Sequence, residues 1–377
     1  MIKRYYTTEM IEKKLLPARV LVIYGPRRAG KTTLVESYLA QTNHKNVLST
    51  TGDDIDFRKI IQSESITKIK SALSNLDLLV IDEAQRIRNI GLGLKICVDH
   101  IPNLRIIATG SSSFDLANKI GEPLTGRQKI ITLFPISVLE YKDQFNQFST
   151  QQQLENFLIY GTYPEVIETI NVDEKKDYLK TLVDSYLYKD ILELEQIKNA
   201  DKIFDLLILI AHQVGNEVSL NELGNNLELS KQTVERYLDL LEKSFVIVKV
   251  RGFSRNLRSE VTKTARYYFL DNGVLNTIIN NFNSLDRRND VGKLWENFMF
   301  AERMKKRSYK NILANIYFWR TYDQKEIDLI EEREGNLFGY EFKYSNKIVK
   351  PPKLWINTYK DAKFETVNSD NFWEFVL

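Results

Sequence analysis

The stretch from Val20 to Leu39, VLVIYGPRRAGKTTLVESYL, constrains this chain more than any other. Val20 to Tyr24 reads as a buried strand, Gly25 to Gly30 as a loop, and Lys31 to Ala40 as a helix with Leu34, Val35, Tyr38 and Leu39 along one side. The loop and the first helical residues spell G-x-x-x-x-G-K-[ST], in the strand, loop and helix context that gives the motif its meaning. Glycines let backbone N–H groups approach a phosphate, and the helix N-terminus adds the positive end of its dipole. Gly25, Pro26, Arg27, Arg28, Ala29, Gly30, Lys31, Thr32 and Thr33 therefore form a phosphate cradle, with Lys31 reaching the β/γ oxygens and Thr32 offering a hydroxyl to Mg²⁺. The bland alternative, a glycine turn before an ordinary helix, does not account for the coincidence of all three elements with the full motif.

With 377 residues the chain exceeds one compact core, so two to four domains are expected. Hydrophobic residues make up 43% and charged residues 27%, as in an ordinary soluble protein. A net charge of +3 neither demands nor excludes a nucleic-acid partner, so local clustering has to decide. The single cysteine, Cys97, excludes an internal disulfide framework and a cysteine zinc site. His44, His100 and His212 are widely separated and read as structural. The N-terminus has no apolar signal core and no run approaches the roughly 18 residues of a membrane span, so the expected location is cytoplasmic, with no membrane partner.

Met1 to Leu16 patterns as a short amphipathic helix, Asn46 to Thr50 as a strand, and Phe57 to Asn75 as a helix. Leu76 to Ile81 is a second buried strand running into Asp82 and Glu83, a Walker B segment. Its resemblance to AAA-type ATPases implies that Asp82 holds Mg²⁺ through water and that Glu83 polarises the attacking water. Leu104 to Thr109 is a third apolar strand ending in Gly110 and Ser111 to Ser113, where ligands of open parallel sheets collect. Thr109 or Ser111 is a candidate sensor of the γ-phosphate, with a helix cap as the rival role for the serines. Arg127 stands just before a strand from Lys129 to Leu133; it reads either as an arginine finger, which in trans requires a homo-oligomer, or as a surface arginine. No N-K-x-D guanine signature is present, which favours ATP over GTP.

GPRRAGKTT, VIDEAQ, ATGSSS, LTGR and LFPISVLEY together resemble the prokaryotic archaeal-type AAA/ASCE P-loop ATPases, and YGTYPEV and YLYKDI continue the likeness. It spans nearly the whole chain, most specifically residues 20 to 140. Relatives of this kind append a winged helix and often a restriction-endonuclease-like domain. The resemblance implies ATP hydrolysis with Mg²⁺.

Gln151 to Leu194 is a helical stretch interrupted at GTYP, read as a lid or connector whose aromatic stripe is core. Helices over Lys202 to Val214, Leu220 to Leu227 and Lys231 to Lys243, then strands over Phe245 to Val250 and Arg266 to Leu270, give the order of a winged helix. Basic residues between Lys231 and Arg266 sit mainly in the wing; Lys231, Gln232 and Arg236 are placed to face a DNA groove, while Glu235 and Asp239 on the same helix argue against it.

After the polar linker from Asn280 to Asp290, an α-β-β-β-α-β order resembles the PD-(D/E)xK nuclease core. Glu296 lies on its first helix, Asp328 on its second strand, and Glu341 and Lys343 two apart, hence on one face, of its third. A turn near Gly335 brings Asp328 opposite that pair. Glu296, Asp328 and Glu341 are hard oxygen donors suited to Mg²⁺ or Mn²⁺, and Lys343 to stabilising charge on a cleaved phosphodiester. The rival readings are a charged hairpin edge and a nuclease-like fold kept for binding.

The expected fold class is therefore α/β, with residues 1–145 as an AAA-type ATPase core, 146–200 as a helical connector, 201–280 as a winged helix and 285–377 as a nuclease-like domain. The expected function is a Mg²⁺-dependent ATPase associated with DNA and carrying a metal-dependent nuclease site. The alternative is a STAND-like nucleotide switch whose C-terminal parts bind partners without cutting.

Overall fold

A computed structural model describes residues 2–110, 124–185, 200–254, 264–321 and 323–377. Ser111, Ser112 and Ser113 lie outside the described residues. The chain divides into two compact units, one built on residues 3–135 and the other on residues 136–242 and 246–377.

The first unit is a parallel five-stranded sheet: β1 (Val20–Tyr24), β2 (Val47–Thr51), β3 (Leu78–Asp82), β4 (Arg105–Gly110) and β5 (Gln128–Thr132), in the order β2-β3-β4-β1-β5. Residues of β1 and β3 are almost wholly buried, as expected of strands covered on both faces. Leu94, Cys97 and Val98 of helix Ile90–His100 and Ile69 and Leu73 of helix Ile66–Leu73 pack into the same core. The N-terminal helix is shorter than its pattern suggested, Thr8–Lys14, and Thr7 caps it by accepting from the Met10 N–H. The single helix expected over Phe57 to Asn75 is two, Ile55–Ile61 and Ile66–Leu73. Glu64 adopts a left-handed φ of 52° between them, and the Ser65 side chain then starts the second helix by accepting from Lys68 N–H.

The second unit has a six-stranded sheet: β6 (Ile247–Gly252), β7 (Ala265–Phe269), β8 (Asn315–Arg320), β9 (Glu326–Arg333), β10 (Asn336–Phe342) and β11 (Lys363–Val367), in the order β11-β10-β9-β8-β6-β7. Residues 201–280 and 285–377, expected as separate domains, are thus joined. Arg251 and Gly252 of β6 pair in parallel with Tyr317 and Phe318 of β8, continuing one sheet across the expected boundary. On the long helix Val291–Lys310, Asn297 accepts from Phe269 N–H and donates to Phe269 C=O, tying that helix to β7. The polar linker is also packed: the Arg288 guanidinium donates to Asp290, to Asn281 C=O and to Asn276.

The GTYP interruption has a packing cause. Gly161 has φ 76°, and a Cβ there would stand 2.0 Å from Asp271 Oδ1. Asp271 accepts from Thr162 N–H at 2.7 Å, while buried Lys305 donates to Thr162 Oγ1, to Ile136 C=O and to Glu302. Full burial pushes the Asp271 carboxyl above its ordinary value, with Lys305 and the backbone donors opposing.

Candidate functional site

The phosphate cradle forms where β1 leaves the sheet. Gly25 is required by a close approach: a Cβ at this position would lie 1.9 Å from Leu133 C=O. Arg28 (φ 60°) and Gly30 (φ 92°) then turn the loop into the helix Lys31–Leu39, whose N-terminus carries no side-chain cap, the kind of helix start that suits an anion. Lys31 is buried, and its Nζ donates to Gly25 C=O at 3.0 Å and Pro26 C=O at 2.9 Å. Its ammonium is therefore folded back over the loop, within reach of whatever anion the loop holds. Arg4, for which the sequence offered no signal, donates from its guanidinium to Ala29 C=O and, at 2.6 Å, to Phe134 C=O. It braces the loop from outside the motif.

The carboxylates arrive on β3. Because β3 and β4 are parallel neighbours, Asp82 and Thr109 end adjacent strands at the same edge. Thr32 Oγ1 donates to Asp82 Oδ2 at 2.9 Å, and Thr109 Oγ1 donates to Asp82 Oδ1. Thr109, fully buried, also accepts from Glu83 N–H at 3.2 Å. Glu83 adopts a left-handed φ of 51°, and its carboxylate accepts from the Gln85 amide. A cleft of about 380 Å³ opens beside Thr32, Thr50, Asp54, Asp82 and Thr109. Mg²⁺ fits these residues: a hydroxyl and a carboxylate already meet beside an anion-ready helix start, as hard-cation chemistry at a nucleotide requires.

Arg127 is not brought to this site. It precedes β5, and its C=O accepts from Val20 N–H at the first residue of β1, so it lies at the N-terminal edge of the parallel strands. The loop lies at the other edge, roughly 16 Å away along a five-residue strand. The Arg127 guanidinium is ion-paired with Asp99. A finger acting on its own chain's cradle is incompatible with that placement.

The second group of expected site residues does converge. Glu296 accepts from Tyr268 O–H at 2.8 Å and from Lys293, Asp328 accepts from Phe342 N–H at 2.8 Å, and Lys343 Nζ donates to Glu341 at 2.8 Å. Burial, reinforced by Glu296, pushes Asp328 up to about 7, and burial with Asp328 nearby pushes Glu341 up to about 7. The residue that sequence reasoning missed is Arg266, which passed for one more basic residue of the wing. Only 2% exposed, its guanidinium meets Glu326 at 2.7 Å and stands 3.8 and 3.7 Å from Glu296 and Asp328. Although Glu341 Oε2 is buried without a partner, the set does not fit a divalent metal. Among the described residues no three carboxylates, histidines or cysteines stand so as to hold one ion. The expected C-terminal ligands Glu296, Asp328 and Glu341 instead face cations of the chain itself.

The first unit's sheet, cradle and acidic strand end define a P-loop ATPase fold. Residues 17–142 match the model of the AAA domain, and residues 151–285 and 291–367 match two domains of unknown function, DUF8612 and DUF4143. An uncharacterized protein of Methanocaldococcus jannaschii is 25% identical over 95% of this chain and 82% of its own length. One from Mycobacterium tuberculosis is 26% identical over 91% of this chain and 74% of its own. Among solved structures, the Walker-type ATPase of Pyrococcus abyssi superposes with a TM-score of 0.51 at 18% identity, covering 74% of this chain and 96% of that one. No helix among the described residues is long and apolar enough to cross a membrane.

Proposed function

We propose that this protein is a Mg²⁺-dependent ATP hydrolase. The observation that carries the reading is the hydrogen-bonded group of Thr32, Asp82, Thr109 and Glu83 beside the buried Lys31. Thr32 and Asp82 would hold Mg²⁺, which would supply charge neutralisation at the phosphate oxygens. Lys31 exchanges its loop carbonyls for β/γ oxygens, and the backbone N–H groups from Gly30 onward orient the phosphates. Glu83, held by Gln85 and fixed in its turn through Thr109, aligns a water for in-line attack and takes its proton. The test is phosphate release with and without Mg²⁺; no Mg²⁺-dependent turnover in folded protein would overturn the reading.

For the second unit we propose that the helices over residues 200–243 and the hairpin β6–β7 act as a winged helix that contacts DNA. Lys231, Gln232 and Arg236 are exposed on the third helix, which supports the reading, while exposed Glu235 and Asp239 limit how far phosphate contacts extend along it. Binding to duplex DNA that weakens steeply with salt is expected, and salt-independent binding would refute it. Metal-dependent cleavage, expected from Glu296, Asp328, Glu341 and Lys343, is the reading that the poor fit of those carboxylates to a divalent ion counts against. The nucleotide switch, with partners bound and nothing cut, is favoured by Arg266 among those carboxylates. Incubation with DNA in Mg²⁺ or Mn²⁺, alongside Lys343→Ala, separates the two: cutting lost in the variant establishes the nuclease, and its absence supports the switch.

A further inference from the structure

Arg266 takes no part in the ATP chemistry, and its position demands an explanation. Its Nη2 is 2.7 Å from Glu326 Oε2, and its Nη1 stands 3.8 Å from Glu296 Oε1 and 3.7 Å from Asp328 Oδ1. The guanidinium carbon lies 4.5 Å from the centre of the Phe318 ring, which covers one of its faces. Other groups crowd the same carboxylates. Tyr268 and Lys293 donate to Glu296, and a Cβ on Gly215 would come within 2.5 Å of Glu296 Oε1, so backbone abuts that carboxylate directly.

Buried carboxylates this close together keep their charge only with cations beside them. A divalent ion would satisfy them by gathering their oxygens to about 2.0–2.6 Å around one point. Here the ground between Glu296 and Asp328 is held by Nη1 instead. A guanidinium does not deprotonate in a protein and, being covalently part of β7, does not exchange with solvent. Its charge repels a dication brought to the same carboxylates.

We propose that Arg266 is the resident counter-ion of this cluster, filling the position a divalent metal would take. The carboxylates then bind no metal in the native chain, and fasten the hairpin β6–β7 to helix Val291–Lys310 and to β9. This inference stands on residues 215–343 alone and is independent of ATP hydrolysis.

The experiment is Mn²⁺ binding to the full-length, nucleotide-free protein, read by the electron paramagnetic resonance of free Mn²⁺. The proteins compared are the wild type, Asp328→Asn, Arg266→Gln and the double variant, each checked for folding by circular dichroism. Wild type and Asp328→Asn are expected to bind equally, so that any weak site at the cradle cancels. Arg266→Gln, relieved of a fixed charge about 4 Å from the oxygens, is expected to gain at least about 30-fold in Mn²⁺ affinity, and the double variant to lose the gain. Mn²⁺ bound by the wild type but not by Asp328→Asn would overturn the proposal. So would a folded Arg266→Gln that gains no site. Should Arg266→Gln fail to fold, the comparison of wild type with Asp328→Asn still decides whether the native cluster takes metal.

Discussion

Thr109→Val isolates one hydroxyl at the ATP site. The two side chains are nearly isosteric, and Thr109 is fully buried, so water cannot replace what the substitution removes. Two interactions are lost: the bond donated to the Asp82 carboxylate and the one accepted from Glu83 N–H. A hydrogen bond to a charged group contributes about 1.5–3 kcal/mol. If that bond keeps Asp82 and Glu83 aligned in the transition state, its loss slows kcat roughly 10- to 150-fold. The assay is steady-state phosphate release over an ATP series, paired with titration of a fluorescent nucleotide and a thermal melt. Nucleotide affinity should change little, because Lys31 and the loop N–H groups are untouched. A folded variant with kcat within about twofold of wild type, or one whose defect lies entirely in KM, would refute the reasoning.

Lys31→Ala should abolish turnover, whereas Glu83→Gln should retain nucleotide binding and lose hydrolysis; filter binding and phosphate release on the same preparations check both. Arg303→Met should be strongly destabilising, because Arg303 grips the fully buried Glu331 with two 2.7 Å bonds. Arg333 and Arg307 remain 3.4 and 3.9 Å from that carboxylate, so the charge is not stranded; the lost bonds cost about 2–3 kcal/mol, and a fall in Tm of roughly 5–10 °C is expected by calorimetry. Lys306 is held down at about 8, chiefly by burial and then by Arg303. The folded protein thus binds this proton less well than the unfolded chain, and its contribution to stability rises as pH climbs from about 8 toward 10.5. Melts across that window should show a shallower rise for Lys306→Gln.

The cradle was legible because its residues are contiguous and its strand, loop and helix signals coincide within twenty positions. Asp82 and Glu83 were legible for the same reason, as the polar end of an apolar run. Arg127 shows where adjacency misleads: it closes the suggestive LTGR segment, but in a parallel sheet a residue preceding a strand sits at the edge opposite one that follows a strand. Arg266 could not be recognised as a cluster member because its partners lie 30 to 62 positions away, on a helix and a strand that only the folded sheet brings near. Arg4 was invisible in the same way, since a guanidinium that braces a backbone carbonyl leaves no local pattern. The break between Ile61 and Ile66 escaped the helical patterning, because it is made by the left-handed φ of Glu64 and the extended Ser65 cap.

The sheet shared by β6 and β8 has a practical consequence for anyone dissecting the molecule. A clone stopped near residue 285, the boundary that residue patterning suggests, would strip β8 from β6 and bare the backbone of Arg251 and Gly252 as an unguarded edge. It would also orphan the Phe269 amide and carbonyl that Asn297 now satisfies, and leave buried Arg266 without Glu296, Glu326 and Asp328. Such a fragment should precipitate or pair with itself, and a failure to bind DNA in that form would report on the cut rather than on the protein.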